Sequence, residues 1–277
     1  MTETNQNNNP RARRLLILRR KFGNIPLKWT GVGILLLIWL VFGAVPDQTS
    51  IPTLPATIQA LFGELGDPNY WGAIGDTLQT WFVSLVIGSV IGITLGILAG
   101  LNVWMERSIA APVEFFKTIP IIAVLPLGIL VLGTGPSMRM TLVAFAVTWP
   151  LLVQTLYGVR SIDPMIRDSA RSIGVGPVRT FFSVVLPSAS PFIATGVRVA
   201  AAMALVITIV IELVAGGSGL GVEISNAELS GVTALPTMYA LILTTGVVGM
   251  LLTGVIGAVE RRLLAWHTTY RSIEVAA

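Results

Sequence analysis

Five stretches of this chain are apolar for so long that water cannot be their solvent. They run over residues 77–101, 109–132, 140–157, 192–215 and 236–259. Each is near or above the ~20 residues that a helix needs to cross the hydrocarbon core of a bilayer. A sixth run, 29–45, follows a basic cluster of Arg11, Arg13, Arg14, Arg19, Arg20, Lys21 and Lys28. A basic patch before an apolar run is also the shape of a signal peptide. This run is too long for a typical signal core, and no A-x-A site follows it, so an anchor is the preferred reading. Only 12% of the residues are charged, about half the ~25% of a soluble domain.

These runs predict an all-α integral membrane protein with six transmembrane helices. Residues 1–28 form a basic cytoplasmic tail. Residues 29–262 form the transmembrane domain, with its first span at 29–45 and its core at 77–260. Residues 263–277 form a second tail. Orientation follows from the Lys/Arg asymmetry of the loops. The N-terminal tail, Arg107, the stretch with Arg160, Arg167, Arg171 and Arg179, and the tail with Arg261, Arg262 and Arg271 share one side. The other side holds Asp47, Glu64, Asp67, Asp76, Glu223 and Glu228, with Arg139 its only base. Both termini are therefore expected in the cytoplasm. Residues 52–65, with Leu54, Ile58, Leu61, Phe62 and Leu65 at helical spacing, read as an amphipathic helix on the outer surface.

The same residues exclude several functions. The net charge of +4 is scattered between apolar runs, not gathered on an exposed face, so no nucleic-acid partner is expected. With no Cys and one His, His267, there is no thiolate chemistry and no His-based metal cluster. No metal or cofactor is expected. The run Gly216-Gly-Ser-Gly-Leu-Gly221 lacks the Gly-Lys-Ser/Thr of a phosphate loop, and no lysine in the chain follows a glycine. Any ATP hydrolysis must come from a separate subunit.

Within the spans, Ser84, Gly88, Gly92, Gly96 and Gly100 recur every fourth residue on one helix face. The stripe suits close helix packing, and a pore lining is the competing reading. Pro112, Pro120 and Pro126 forbid a straight third span. Broken helices of this kind neighbour transport pathways as well as packing kinks, so Pro120 and Pro126 are candidate pathway residues. Glu114 and Lys117 stand close enough for a boundary ion pair. Glu212, inside an apolar run, needs a protein or water partner and joins Pro120 and Pro126 as a candidate pathway residue. Gating and a structural hydrogen bond both remain open for it.

The longest loop on the basic side carries the most specific signal. Asp163 is a good helix cap with Pro164 behind it. Ile162, Ile166, Ala170 and Ile173 make an apolar stripe opposite Arg167, Asp168 and Arg171. Gly174 and Gly176 free the chain to stop, and Pro177 prevents continuation. A second short helix with Val178, Phe181, Phe182 and Val185 then leads to Pro187. Two short helices joined by a Gly-rich bend would suit docking to a cytoplasmic partner.

This loop resembles the E-A-A-x3-G-x9-I-x-L-P signature of bacterial ATP-binding-cassette (ABC) importer permeases. Asp168-Ser169-Ala170 stands for E-A-A, Gly174 follows after three residues, and Val184-x-Leu186-Pro187 after nine more. The residues 119–127, Ile-Pro-Ile-Ile-Ala-Val-Leu-Pro-Leu, resemble the I-P-x-x-A-x-x-P-L pattern of the nitrate, sulfonate and taurine branch. Thr195-Gly-Val-Arg198 and the stretch from Glu212 to Gly219-Leu-Gly221 are similar to it too. The resemblance implies a type I importer fold working as a dimer in the bacterial inner membrane. It implies two separate ATPase subunits and an extracytoplasmic solute-binding protein. The loop would be the coupling helix, with Asp168, Ser169, Ala170, Gly174, Gly176 and Pro187 as its ATPase-coupling set. The solute would be a small anion such as a sulfonate, taurine, nitrate or an aromatic carboxylate, imported without enzymatic activity in this chain. A self-sufficient secondary transporter or channel, and a membrane assembly factor, are the alternatives.

Overall fold

A computed structural model of the protein describes residues 27–44 and 50–264, and every regular element among them is helical. In chain order these are α1 (Leu27–Gly43), α2 (Leu54–Glu64), α3 (Pro68–Leu101), α4 (Val103–Thr118) and α5 (Ile121–Leu132). Then follow α6 (Pro136–Arg160), α7 (Pro164–Ser172), α8 (Pro177–Thr180), α9 (Leu186–Ala215), α10 (Leu220–Leu229) and α11 (Leu235–Leu263). The basic cluster Arg11–Lys21, together with Asp47, His267 and Arg271, lies outside the described residues.

Four helical stretches among the described residues are long and apolar enough to cross a membrane: α3, α6, Pro177–Ala215 and Val232–Leu263. The pair α4 and α5, bent by 94°, makes a fifth when counted as one crossing. At 17 residues α1 falls short of that length. Helix α3 begins well before the apolar run at Thr77. Asp67 accepts a hydrogen bond from the Asn69 N–H at 2.9 Å, and Pro68 fills the first turn, where a missing N–H costs nothing.

Small residues set the core. Gly88, Gly92, Gly96 and Gly100 are buried against α6. A Cβ on Gly96 would stand 2.6 Å from the Thr155 Cβ and 2.7 Å from the Leu152 carbonyl oxygen. The two backbones therefore touch, which is how helices gain dispersion energy where lipid removes the hydrophobic drive. Helix α9 packs on a neighbouring face of α6, with Gly158 under Phe192, and meets α3 as well. Around this seam Trp81, Leu85, Met138, Leu142, Val147, Leu151, Ala204 and Ile211 form the apolar core. The Trp81 indole N–H donates to the Ala201 carbonyl at 2.8 Å.

The third span breaks at Ile119–Pro120, both in extended conformation. Proline disfavours the helical region for the residue before it, and at Ile119 the chain turns. Pro112 and Pro126 instead lie inside α4 and α5. Phe116 stacks on Trp149 with ring centroids 5.0 Å apart, and Phe145 meets both edge-on. Glu114 and Lys117 form the expected ion pair at 2.6 Å.

Two helices are poorly covered by their own chain. Helix α1 is held by the Trp39 indole N–H donating to the Pro52 carbonyl and by Trp39 against Tyr239. Its Ile34, Leu35 and Leu37 are exposed, as are Met250, Leu251 and Val255 of α11. Helix α2 matches the expected amphipathic segment, yet Ile58 and Phe62 are exposed rather than packed.

Candidate functional site

The loop 161–187 folds much as its caps dictate. Asp163 accepts a hydrogen bond from the Met165 N–H at 2.8 Å, and Pro164 opens α7. At the other end the Gly174 N–H donates to the Arg171 carbonyl and the Val175 N–H to the Ala170 carbonyl, both at 3.0 Å. That double bond closes the helix in a Schellman turn, with Gly174 at φ +78° where a side chain would be strained. Gly176 has an ordinary φ of −67° and simply caps α8, so only Gly174 uses the backbone freedom that the sequence suggested for both.

The second anticipated short helix is not separate. Helix α8, a π-helical turn over Phe181–Val185 and α9 run on as one helix, Pro177–Ala215. Pro187 explains the wide turn, because a proline ring clashes with the carbonyl four residues back. The Leu186 N–H donates five residues back, to Phe181, and shifts the preceding carbonyls aside. The apolar stripe of α7 also divides. Ile162 and Ala170 are buried, while Ile166 and Ile173 are exposed, as are Met165, Val178 and Phe182. Asp168 and Ser169 are exposed, with Arg171 at 3.9 Å from Asp168. Nearby, Arg160 at the end of α6 pairs with Glu106 in the first turn of α4.

At the opposite end of the bundle sits a buried ion pair. Arg139, in the first turn of α6, is 3% exposed, and Glu212 of α9 is fully buried. The sequence put Arg139 among the loop charges. It is instead inside the bundle, where an unpaired charge would be costly. Glu212 Oε2 accepts from the Thr77 hydroxyl at 2.9 Å and from the Gly221 N–H at 3.1 Å. Thr77 Oγ1 in turn accepts from the Leu220 N–H at 2.9 Å. Arg139 donates to the carbonyl and hydroxyl of Ser218, and its Nη1 lies 3.9 Å from Glu212 Oε1. Gly219, at φ +123°, passes so close that a Cβ there would overlap the Glu212 carboxylate.

The structure does not bring the candidate residues into one site. Asp168, Ser169, Ala170, Gly174 and Gly176 lie on α7 and the turn after it, Pro187 in the first turn of α9, Glu212 near the far end of α9, Pro120 at the break in the third span and Pro126 inside α5. Sequence reasoning missed Thr77 and the helix α10. Gly219 followed by Leu220, Ile224 and Ala227 at i, i+4 and i+7 is the signal that marks α10. No group of acidic or histidine side chains able to hold a metal occurs among the described residues.

Comparison with known proteins fits this geometry. A probable ABC transporter permease of Brucella abortus (strain 2308) is 33% identical over 199 residues, 71% of this chain and 78% of that protein. The putative aliphatic sulfonates transport permease SsuC of Bacillus subtilis (strain 168) is 30% identical, covering 86% of each chain. The taurine transport system permease TauC of Escherichia coli (strain K12) is 28% identical over 86% of this chain and 85% of its own. Among solved structures, the inward-facing methionine ABC transporter MetNI aligns with a TM-score of 0.62 at 20% identity, covering 71% of this chain and 98% of that one. A bacterial alginate ABC transporter, in complex with an alginate pentasaccharide-bound periplasmic protein, aligns at 0.64 and 16% identity over 91% and 94%. These two share the fold. Residues 92–265 match the family described as the binding-protein-dependent transport system inner membrane component. The chain belongs to that family and is a membrane permease of an ABC importer.

Proposed function

We propose that this permease imports a small anion, such as a sulfonate, taurine, nitrate or an aromatic carboxylate, as one of two identical subunits. Two separate ATPases dock on the loop 163–187, and an extracytoplasmic binding protein delivers solute to the acidic end. Helix α1 is the first of six crossings, and both termini are cytoplasmic. Burial of Arg139 supports this orientation, because it removes the one base from the acidic end. Pro120 and Pro126 shape the pathway at the broken third span.

The observation that carries the docking assignment is α7 itself. A capped helix at the end of a membrane crossing exposes Ile166 and Ile173, and the segment that follows exposes Val178 and Phe182. Exposed apolar side chains of this kind, rimmed by Asp168, Ser169 and Arg171, mark a protein interface. Ala170, Gly176 and Pro187 hold its shape.

Gly174→Leu tests it. The position is open, with nothing within 4 Å of an added Cβ, but φ is +78°. The substitution therefore remodels the turn and leaves the membrane helices alone. Solute-dependent ATP hydrolysis of the reconstituted complex should fall about tenfold or more, with normal insertion. Normal hydrolysis by the Gly174→Leu complex would overturn the assignment.

A further inference from the structure

We propose that Arg139, Glu212 and Thr77 are positioning residues for an outer gate, a latch that seats the N-terminus of α10 over the acidic end of the bundle and must open during transport. The inference rests on the orientation proposed above, which places that end outside.

The latch joins four elements at one point. Thr77 comes from α3, Arg139 from α6, Glu212 from α9, and the Leu220 and Gly221 N–H groups from α10. Glu212 fills an anion site at the start of α10, held by a backbone N–H and a hydroxyl. Arg139 meanwhile gives its Nη groups to Ser218 in the loop before α10. The ion pair is thus held apart at 3.9 Å by the segment it clamps. Arg139 Nε and Glu212 Oε1 have no hydrogen-bond partner among the described residues. A pair placed only to rigidify the bundle would close directly and satisfy both atoms.

Two arrangements follow. With α10 seated, Glu212 binds Thr77 and Gly221, and Arg139 binds Ser218. With α10 lifted, Arg139 and Glu212 are free to close on each other in a bidentate pair. That new pair offsets part of the cost of releasing the loop, which makes the element two-state rather than rigid. Beyond the latch, α10 is held mainly by Leu220, Ile224 and Ala227 against Tyr70, Ala73 and Leu241.

The two arrangements give opposite signs on substitution. Thr77→Val removes the bond from the Leu220 N–H of α10, together with the Thr77 bond to Glu212 of the seated arrangement, and favours opening. Glu212→Gln keeps an acceptor for Thr77 and Gly221 but abolishes the direct ion pair, and so disfavours opening. The chain has no cysteine, so Ala227→Cys, on the buried face of α10, supplies a single thiol. Its maleimide labelling would be followed in the whole transporter in lipid nanodiscs, where reagent reaches both faces. We expect labelling to rise about tenfold with Thr77→Val and to fall by a similar factor with Glu212→Gln. Should Glu212→Gln fail to assemble, Ser218→Ala removes an Arg139 bond made only with α10 seated and should raise labelling, and unchanged labelling in Ser218→Ala would overturn the latch. Shifts of the same sign from Thr77→Val and Glu212→Gln, or none, overturn it as well. Labelling needs neither solute nor ATP, so it is independent of the importer reading. That reading fails separately, if a solute-loaded binding protein does not stimulate ATP hydrolysis by the unmodified complex. Impermeant reagent on intact cells tests the outward placement.

Discussion

Glu64 closes α2 beside Asp67 and Glu223, and partial burial, then those two carboxylates, raise its pKa above the ordinary 4.5. A raised value in the fold means that the folded state binds the proton more tightly than the unfolded chain. Its contribution is favourable in acid and is lost as pH rises from the ordinary value through the raised one. Glu64→Gln should therefore leave thermal unfolding unchanged near pH ~4 and raise the midpoint near pH ~7, where wild type carries the repelling charge. A midpoint shift of equal size at both pH values would contradict this. Arg139 marks the limit of reading single residues. Its charge is plain in the sequence, but its partners Ser218 and Glu212 lie far along the chain, and no local pattern announces them. Asp163 and Gly174 are the opposite case, because caps and left-handed turns act through neighbours only a few residues away.

Among elements, the packing face of α3 was legible, though not its partner α6, and the π-helical turn at α9's entry was not. Glycines every fourth residue announce a face meant for backbone contact, and Gly96 meets Leu152 and Thr155 there. Gly96→Val should cost about 1–3 kcal/mol or more through overpacking, read as a lower unfolding temperature in detergent. Gly75→Ala on the same helix faces open space and should be neutral or stabilising by about 0.5–1 kcal/mol. If both substitutions behaved alike, the seam would not depend on close approach. The run from Pro177 misled because Pro187 looks like a stop. A single π-helical turn absorbs it, and such turns leave no periodic trace in sequence. Helix α10 was hidden for another reason: its glycine-rich approach reads as a loop, and its ten residues are too few to stand out.

For the whole molecule, α1 and α11 leave apolar sides uncovered by the rest of the chain, as does α5 with Leu127, Leu130 and Val131. Symmetric pairing is the commonest way to complete a subunit, and the proposed assembly has two copies of this chain with two ATPases. Native mass spectrometry of the lipid-embedded complex should give that stoichiometry, and a single copy per complex would refute it. The number and rough place of the apolar runs could be read directly, since a bilayer leaves helices few other lengths. Which of them pack on one another could not, since lipid and protein neighbours ask for similar side chains. One feature ties the ends together: the 39-residue helix Pro177–Ala215 starts in the proposed ATPase handle and finishes three residues beyond Glu212. Such a beam is about 58 Å long, so a tilt of roughly 5° at its root swings its tip by about 5 Å. Mechanical leverage of that size is comparable to one helical turn, enough to carry Glu212 clear of its seat without any side chain relaying the signal between.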